Sequence, residues 1–188
     1  YSLTSEKATL VTHMSVGRVH AVSIVIDKNT LWVTGGMNET MGRLTSTEYV
    51  KMTGTMLGPD LPMALGFHAM VAINSTFSVV IGGYSYGYSF ASTIFFDHNE
   101  DEWINGPNLM QARSSHAAGI ITDDVTGEHF VAVTGGYYWP DDLDSTEILQ
   151  DGEWVQGKIN NTVRYILEKF RSHNTVVAAW CSAQQRTH

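Results

Sequence analysis

Three histidines invite a chemical reading before anything else in the chain. His20, His68 and His116 stand 48 residues apart, each followed by alanine, in VHA, FHA and SHA. Three imidazoles are a ligand set that zinc accepts, leaving a fourth position for water or substrate. The acidic groups at 97–102 and at Asp123, Asp124 and Glu128 could offer oxygen ligands to calcium, although neither follows the spacing of an EF-hand loop. Nucleophilic chemistry has less to work with. The only cysteine is Cys181, and the sequence contains no G-x-S-x-G elbow, H-E-x-x-H helix or phosphate-cradling glycine loop.

Spacing weighs against the metal. A fixed 48-residue period places the histidines at equivalent points of separate structural units, and such points converge only if they face a common axis. The plainer expectation is an imidazole that hydrogen-bonds backbone where a strand begins. The acidic groups fall between apolar, β-branched segments, where charged turn residues are usual, and are expected as solvated hairpins. No catalytic residue, metal or cofactor is therefore expected.

The elements that carry these residues repeat. LWVTGG at 31–36, FSVVIGG at 77–83 and HFVAVTGG at 129–136 each end an apolar run in a glycine pair: Gly35 and Gly36, Gly82 and Gly83, Gly135 and Gly136. Glycine permits backbone angles and close approaches that β-branched residues forbid, so the second glycine of each pair is expected where neighbouring chains converge. A Ser-Thr dipeptide follows each pair, in STEYV, STIFF and STEIL, and two units add a tryptophan after an acidic turn, Trp103 and Trp154. The linkers GPDLP at 58–62 and GPNLM at 106–110 also match. The units run over about 10–57, 58–105 and 106–157, the last lengthened by the polar insert TDDVTGEH at 122–129. In the first, strands are expected near 19–26, 30–36 and 45–50, with a weaker fourth before Gly58. Four strands in ~50 residues is the period of a propeller blade.

With its glycine pairs, its tryptophans after acidic turns, and the openings GRVHA and QARSSHA, the chain resembles the kelch repeat over about residues 10–157. That resemblance implies an all-β, kelch-type β-propeller: about three four-stranded antiparallel blades, partial or open, arranged radially about a channel. In kelch proteins the loops linking the inner strands line the channel mouth and take part in ligand binding. Closed propellers have ~4–8 blades, so further blades are expected from residues beyond this chain or from a second chain, the former preferred. From 158 to 188 the repeat stops. Val163, Ile166, Leu167 and Phe170 follow Thr162 at helical spacing, which predicts a short helix over 162–171 within a tail unlike the repeat.

Eleven Lys and Arg against nineteen Asp and Glu give a net charge of −8 without a basic cluster, which excludes nucleic acid as an expected partner. No run approaches the ~18 apolar residues of a membrane span. Sequons at Asn38, Asn74 and Asn160 tip the compartment towards the extracellular side without settling it. The loops after the glycine pairs differ: MNETMGRL, YSYGYSF and YYWPDDLD. Unequal loops on a repeated scaffold are how repeat folds build binding surfaces, and Tyr and Trp dominate binding hot spots. Candidate binding residues are Tyr84, Tyr86, Tyr88, Tyr137, Tyr138, Trp139, Asp141 and Arg43, with packing between blades as the competing role of the tyrosines. Arg18 and Arg113, just before the histidines, are expected to be structural.

The reading is a non-catalytic module that binds a protein partner through these loops. Two alternatives follow from the resemblance. One is a secreted carbohydrate-binding or copper-radical-oxidase-like propeller, although the oxidase site needs a cysteine within the repeats. The other is the substrate-recognition part of a ubiquitin-ligase adaptor whose BTB region lies outside these residues.

Overall fold

A computed structural model describes residues 12–157. The helix expected over 162–171, the rest of the tail and the sequon at Asn160 lie outside the described residues. The first unit contains β1 (Val22–Asp27), β2 (Thr30–Thr34), the short pair β3 (Met37–Asn38) and β4 (Gly42–Arg43), then β5 (Thr47–Lys51) and β6 (Gly54–Leu57). The second repeats this as β7 (Ala69–Ala72), β8 (Phe77–Ile81), β9 (Tyr84–Ser85), β10 (Tyr88–Ser89), β11 (Thr93–Asp97) and β12 (Glu102–Asn105). The third follows with β13 (Ala117–Thr122), β14 (His129–Thr134), β15 (Tyr137–Tyr138), β16 (Asp141–Asp142), β17 (Thr146–Gln150) and β18 (Glu153–Gln156).

Each unit folds into one four-stranded antiparallel sheet, in the orders β1-β2-β5-β6, β7-β8-β11-β12 and β13-β14-β17-β18. The two-residue strands form a separate small hairpin between the second and third strands of each sheet. Turn chemistry matches the register. Asp151 and Gly152 both take positive φ in the two-residue turn between Gln150 and Glu153, the primed geometry that suits strand twist. Asp27 and Asp97 each accept a backbone N–H two residues ahead, from Asn29 and Asn99, and so fix their hairpins locally. Among the described residues there is no helix, and hence none long and apolar enough to cross a membrane.

The middle sheet is covered on both faces, and strand alternation decides which side chain goes where. Val71, Val79 and Ile81 join Leu109, Val131, Val133 and Trp154 in a core between the second and third sheets. Met70, Val80 and Phe96 join Trp32, Leu61 and Leu65 in a core between the first and second. Trp32 is fully buried and meets Phe96 edge-on and Trp103 at a tilt. Strand β1 lies against β7, and β7 against β13, so the first strands of successive sheets are neighbours.

Four backbone hydrogen bonds form each seam, and they repeat. At the first, Leu61 and Leu65 donate to Thr45 and Leu44, Gly36 donates to Leu65, and Phe67 donates to His20. At the second, Leu109 and Arg113 donate to Ala91 and Phe90, Gly83 donates to Arg113, and Ser115 donates to Phe67. This pattern corrects the histidine alignment. The bridges Val19 to Met37, Gly66 to Tyr84 and Ser114 to Tyr137 are equivalent, and the next residues, His20, Phe67 and Ser115, all take positive φ. His20 therefore corresponds to Phe67 and Ser115, on whose first member it stacks at 3.9 Å, while Ala21 holds the place of His68 and His116.

The glycine pairs divide their task, which extends the expectation that the second glycine serves convergence. A Cβ on the second glycine would meet its own unit's opening segment: Val19 O at 2.7 Å from Gly36, Ser114 O at 2.7 Å from Gly136. A Cβ on the first glycine would meet the next unit, Leu65 O at 2.5 Å from Gly35 and Arg113 O at 2.6 Å from Gly82. All six have positive φ. Gly82→Ala is expected to cost more than the ~1–2 kcal/mol of its left-handed backbone alone, because the carbonyl it strikes belongs to a seam. Urea unfolding compared with Gly42→Ala, where φ is also positive but space is open, isolates the clash.

Candidate functional site

The three short hairpins after the glycine pairs sit side by side at one end of the stack. Arg43 at the end of β4 reaches across the first seam: its Nε donates to Tyr84 O at 3.0 Å, and its guanidinium lies 4.7 Å from the Tyr84 ring centre. Ser89, in the equivalent place on β10, donates through Oγ to Tyr137 O at 3.2 Å. Neighbouring hairpins are thus tied at their bases.

The tips carry the aromatic residues. Tyr86 and Gly87 form the two-residue turn of β9–β10, with φ of 49° and 90°, and Tyr86 is 79% exposed. Tyr88 is exposed beside it. In the third hairpin Trp139 is 78% exposed and lies edge-on to Tyr137, with Tyr138 also exposed. Met41 adds an exposed apolar side chain at the first hairpin. Glu39, Asp141, Asp142 and Asp144 are exposed around them, so the end surface is aromatic with an acidic rim.

The candidates separate into two groups. Tyr86, Tyr88, Tyr138, Trp139 and Asp141 are exposed at the tips, whereas Tyr84 and Tyr137 are half-buried at the seams, accepting the Arg43 and Ser89 bonds through their carbonyls. Arg43 is engaged by Tyr84 and acts as a tie between hairpins. Trp103 and Trp154 lie inside, the first packed against the Trp32 core and the second within the Val133 core. Asn38 and Asn74 sit at loop ends: Asn38 donates to Gly17 O and accepts from Thr40 and Met41, and Asn74 is exposed.

The histidines go to three different surroundings. His20 stacks on Phe67. His68 is buried against the first sheet with Nε2 2.9 Å from Thr34 Oγ1, a side-chain partner where a backbone one was expected, and burial pushes its pKa down to about 4. His116 is buried against Gly82, and burial, with the charge of Arg113 and the nearness of His68, pushes it down to about 3. Among the described residues no cluster of three or more His, Cys, Asp or Glu side chains is placed to hold a metal ion. At the opposite end, a cleft of ≈ 130 Å³ lined by Ile26, Ala72, Asn74, Ser75, Ser78 and His98 is well below the ~300 Å³ at which small-molecule sites begin.

Two buried ion pairs escaped the motif reading. Arg18 reaches Gly35 O at 2.9 Å, Ser46 O at 2.7 Å and Glu48 Oε1 at 2.6 Å, and the Glu48 carboxylate also accepts the N–H groups of Ser15 and Val16. Burial alone would raise the Glu48 pKa, but these N–H groups and Arg18 outweigh it and hold it below the usual value. Arg113 repeats the arrangement with Gly135 O, Ser145 O and Glu147, which accepts from Met110 and Gln111. The middle unit has Leu65 and Ile94 at these positions, both buried, and Pro62 where Met110 supplies its N–H. The signal was present in the chain: an arginine before the histidine segment and a glutamate after Ser-Thr occur together in the first and third units and are lost together in the middle one.

No known family model matches this chain, and no curated protein matches it.

Proposed function

We propose that the chain is a non-catalytic interaction module built of kelch-type blades, which binds a protein partner on the aromatic hairpin tips. The observation that carries this reading is Tyr86. A tyrosine at the first position of a primed turn has φ of 49°, where Asn, Asp or Gly is the usual choice, and its ring is 79% exposed. Such a residue costs stability and has no core contact to offset it, so its use lies at the surface. Tyr88, Tyr138 and Trp139 extend the same apolar area, and the surrounding carboxylates favour a basic partner segment.

Tyr86→Asn separates stability from binding. It is expected to raise unfolding stability by about 0.5–1 kcal/mol while weakening capture of basic, aromatic peptides selected on the wild-type protein by ~10-fold, or ~1.4 kcal/mol. Replacing Tyr138 and Trp139 together by Ala is expected to weaken the same capture at least as much. Unchanged affinity in both variants, with the fold retained, refutes the tip assignment.

A further inference from the structure

Among the described residues the third sheet is the last of the stack, and its seam chemistry is still on offer. At the two internal seams, a unit presents two loop carbonyls, one glycine N–H and one carbonyl at the left-handed residue. The corresponding groups of the third unit are the carbonyls of Leu143 and Asp144, the Gly136 N–H and the Ser115 carbonyl, none of which has a backbone partner among the described residues. Gly135 tells the same story by its surroundings. A Cβ there would meet only Leu143 O at 3.5 Å, whereas at Gly35 and Gly82 it would strike the next unit. The sheet face beyond is apolar: Ile121, Phe130, Ala132, Ile148 and Val155 share it by register.

The first unit offers the reciprocal half. By position, Met14, Arg18 and His20 correspond to Leu61, Leu65 and Phe67, and the N–H groups of all three, with the Arg18 carbonyl, lack backbone partners among the described residues. Val25, Leu31, Val33, Val50 and Leu57 share the forward face of its sheet, and Val25 is 66% exposed. Side chains fit as well. Thr34 needs the His68 ring across its seam, but Thr134 is hydrogen-bonded within its own sheet to Thr146 at 2.9 Å, so Ala21 can face it without leaving an unpaired hydroxyl. Asp142 stands where Arg43 and Ser89 donate, has no hydrogen to give, and leaves that one bond unmade.

We infer that the rear face of the third sheet docks onto the front face of the first sheet of a second copy of this chain, two copies closing head-to-tail into a ring of six sheets. Two identical heterologous contacts related by a two-fold axis close without open ends, and six lies within the ~4–8 blades of closed propellers. This inference concerns the ends of the stack and stands or falls independently of the hairpin tips.

The test is the mass of the full chain in solution, by light scattering with chromatography. A discrete species at twice the 20.8 kDa of one chain is expected. Gly135→Asn tolerates the left-handed backbone and meets nothing close in its own chain, yet obstructs the incoming unit, so it is expected to halve the mass. Val25→Asp, on an exposed side chain of the opposite face, is expected to do the same and decides the matter if the glycine variant misfolds. A monomeric wild type, an open-ended polymer, or a dimer that survives Val25→Asp overturns the inference.

Discussion

Arg113→Leu alone is expected to destabilise the protein by about 3–5 kcal/mol, because it leaves the Glu147 carboxylate buried without its cation. The double variant Arg113→Leu, Glu147→Ile is expected to recover most of that loss. An ion pair gains little over a well-packed apolar pair once both charges have been removed from water, and the damage comes from breaking it. The molecule already contains this outcome, since Leu65 and Ile94 occupy the same two places in the middle sheet. Two N–H groups, from Met110 and Gln111, still lose their acceptor in the double variant. Adding Met110→Pro, which copies Pro62, removes one of those donors and is expected to recover part of the remainder. Urea unfolding of the four proteins decides it. A double variant no more stable than Arg113→Leu would show that the sites are not interchangeable.

Acid should weaken the fold well before its carboxylates titrate. His68 and His116 have folded pKa values of about 4 and about 3, set by burial, against ~6.5 in an unfolded chain. Both values are depressed, so between the folded and unfolded pKa the unfolded chain binds the extra protons. The stability is complete above pH ~6.5 and is lost as the pH falls towards 4 and then 3. His68 alone accounts for about 3 kcal/mol over that range. Glu48, held below the usual carboxylate value, also loses stability on acidification, but only below ~4.5. Stability measured at fixed protein concentration between pH 7 and 4.5 therefore reports the imidazoles. His68→Gln is expected to flatten the slope in that window whatever it does to stability at neutral pH, and a wild-type slope of zero would contradict the burial of these rings.

Strand positions were legible because turn chemistry and period agree on them. The segments expected near 19–26, 30–36 and 45–50 and before Gly58 are found as Val22–Asp27, Thr30–Thr34, Thr47–Lys51 and Gly54–Leu57. Exposure of Trp139 was legible from the carboxylates beside it in YYWPDDLD, whereas YSYGYSF left Tyr86 open between a binding surface and packing between blades until its place in the turn was known. The histidine register was misleading for a physical reason. Strand equivalence is set by backbone bridges at Val19, Gly66 and Ser114, and turns inside the first unit differ in length from those of the second, so that His20, next to its bridge, and His68, one residue further from its own, match the 48-residue spacing by accident. Partnership across a seam was the least legible layer. Trp32 looks like any apolar strand residue until Phe96 and Trp103 of the next sheet enclose it, and Glu48 looks like a surface charge until Arg18 is placed over it.

The polar insert of the third unit lengthens the turn between β13 and β14, which lies at the end of β14 away from the Gly135–Gly136 hairpin. Asp123 caps that turn by accepting the N–H groups of Val125 and Thr126, and Val125 is 94% exposed. A linker or fluorophore grafted at Val125 would anchor every molecule in one orientation, with the opposite end and its aromatic hairpins turned out towards whatever flows past.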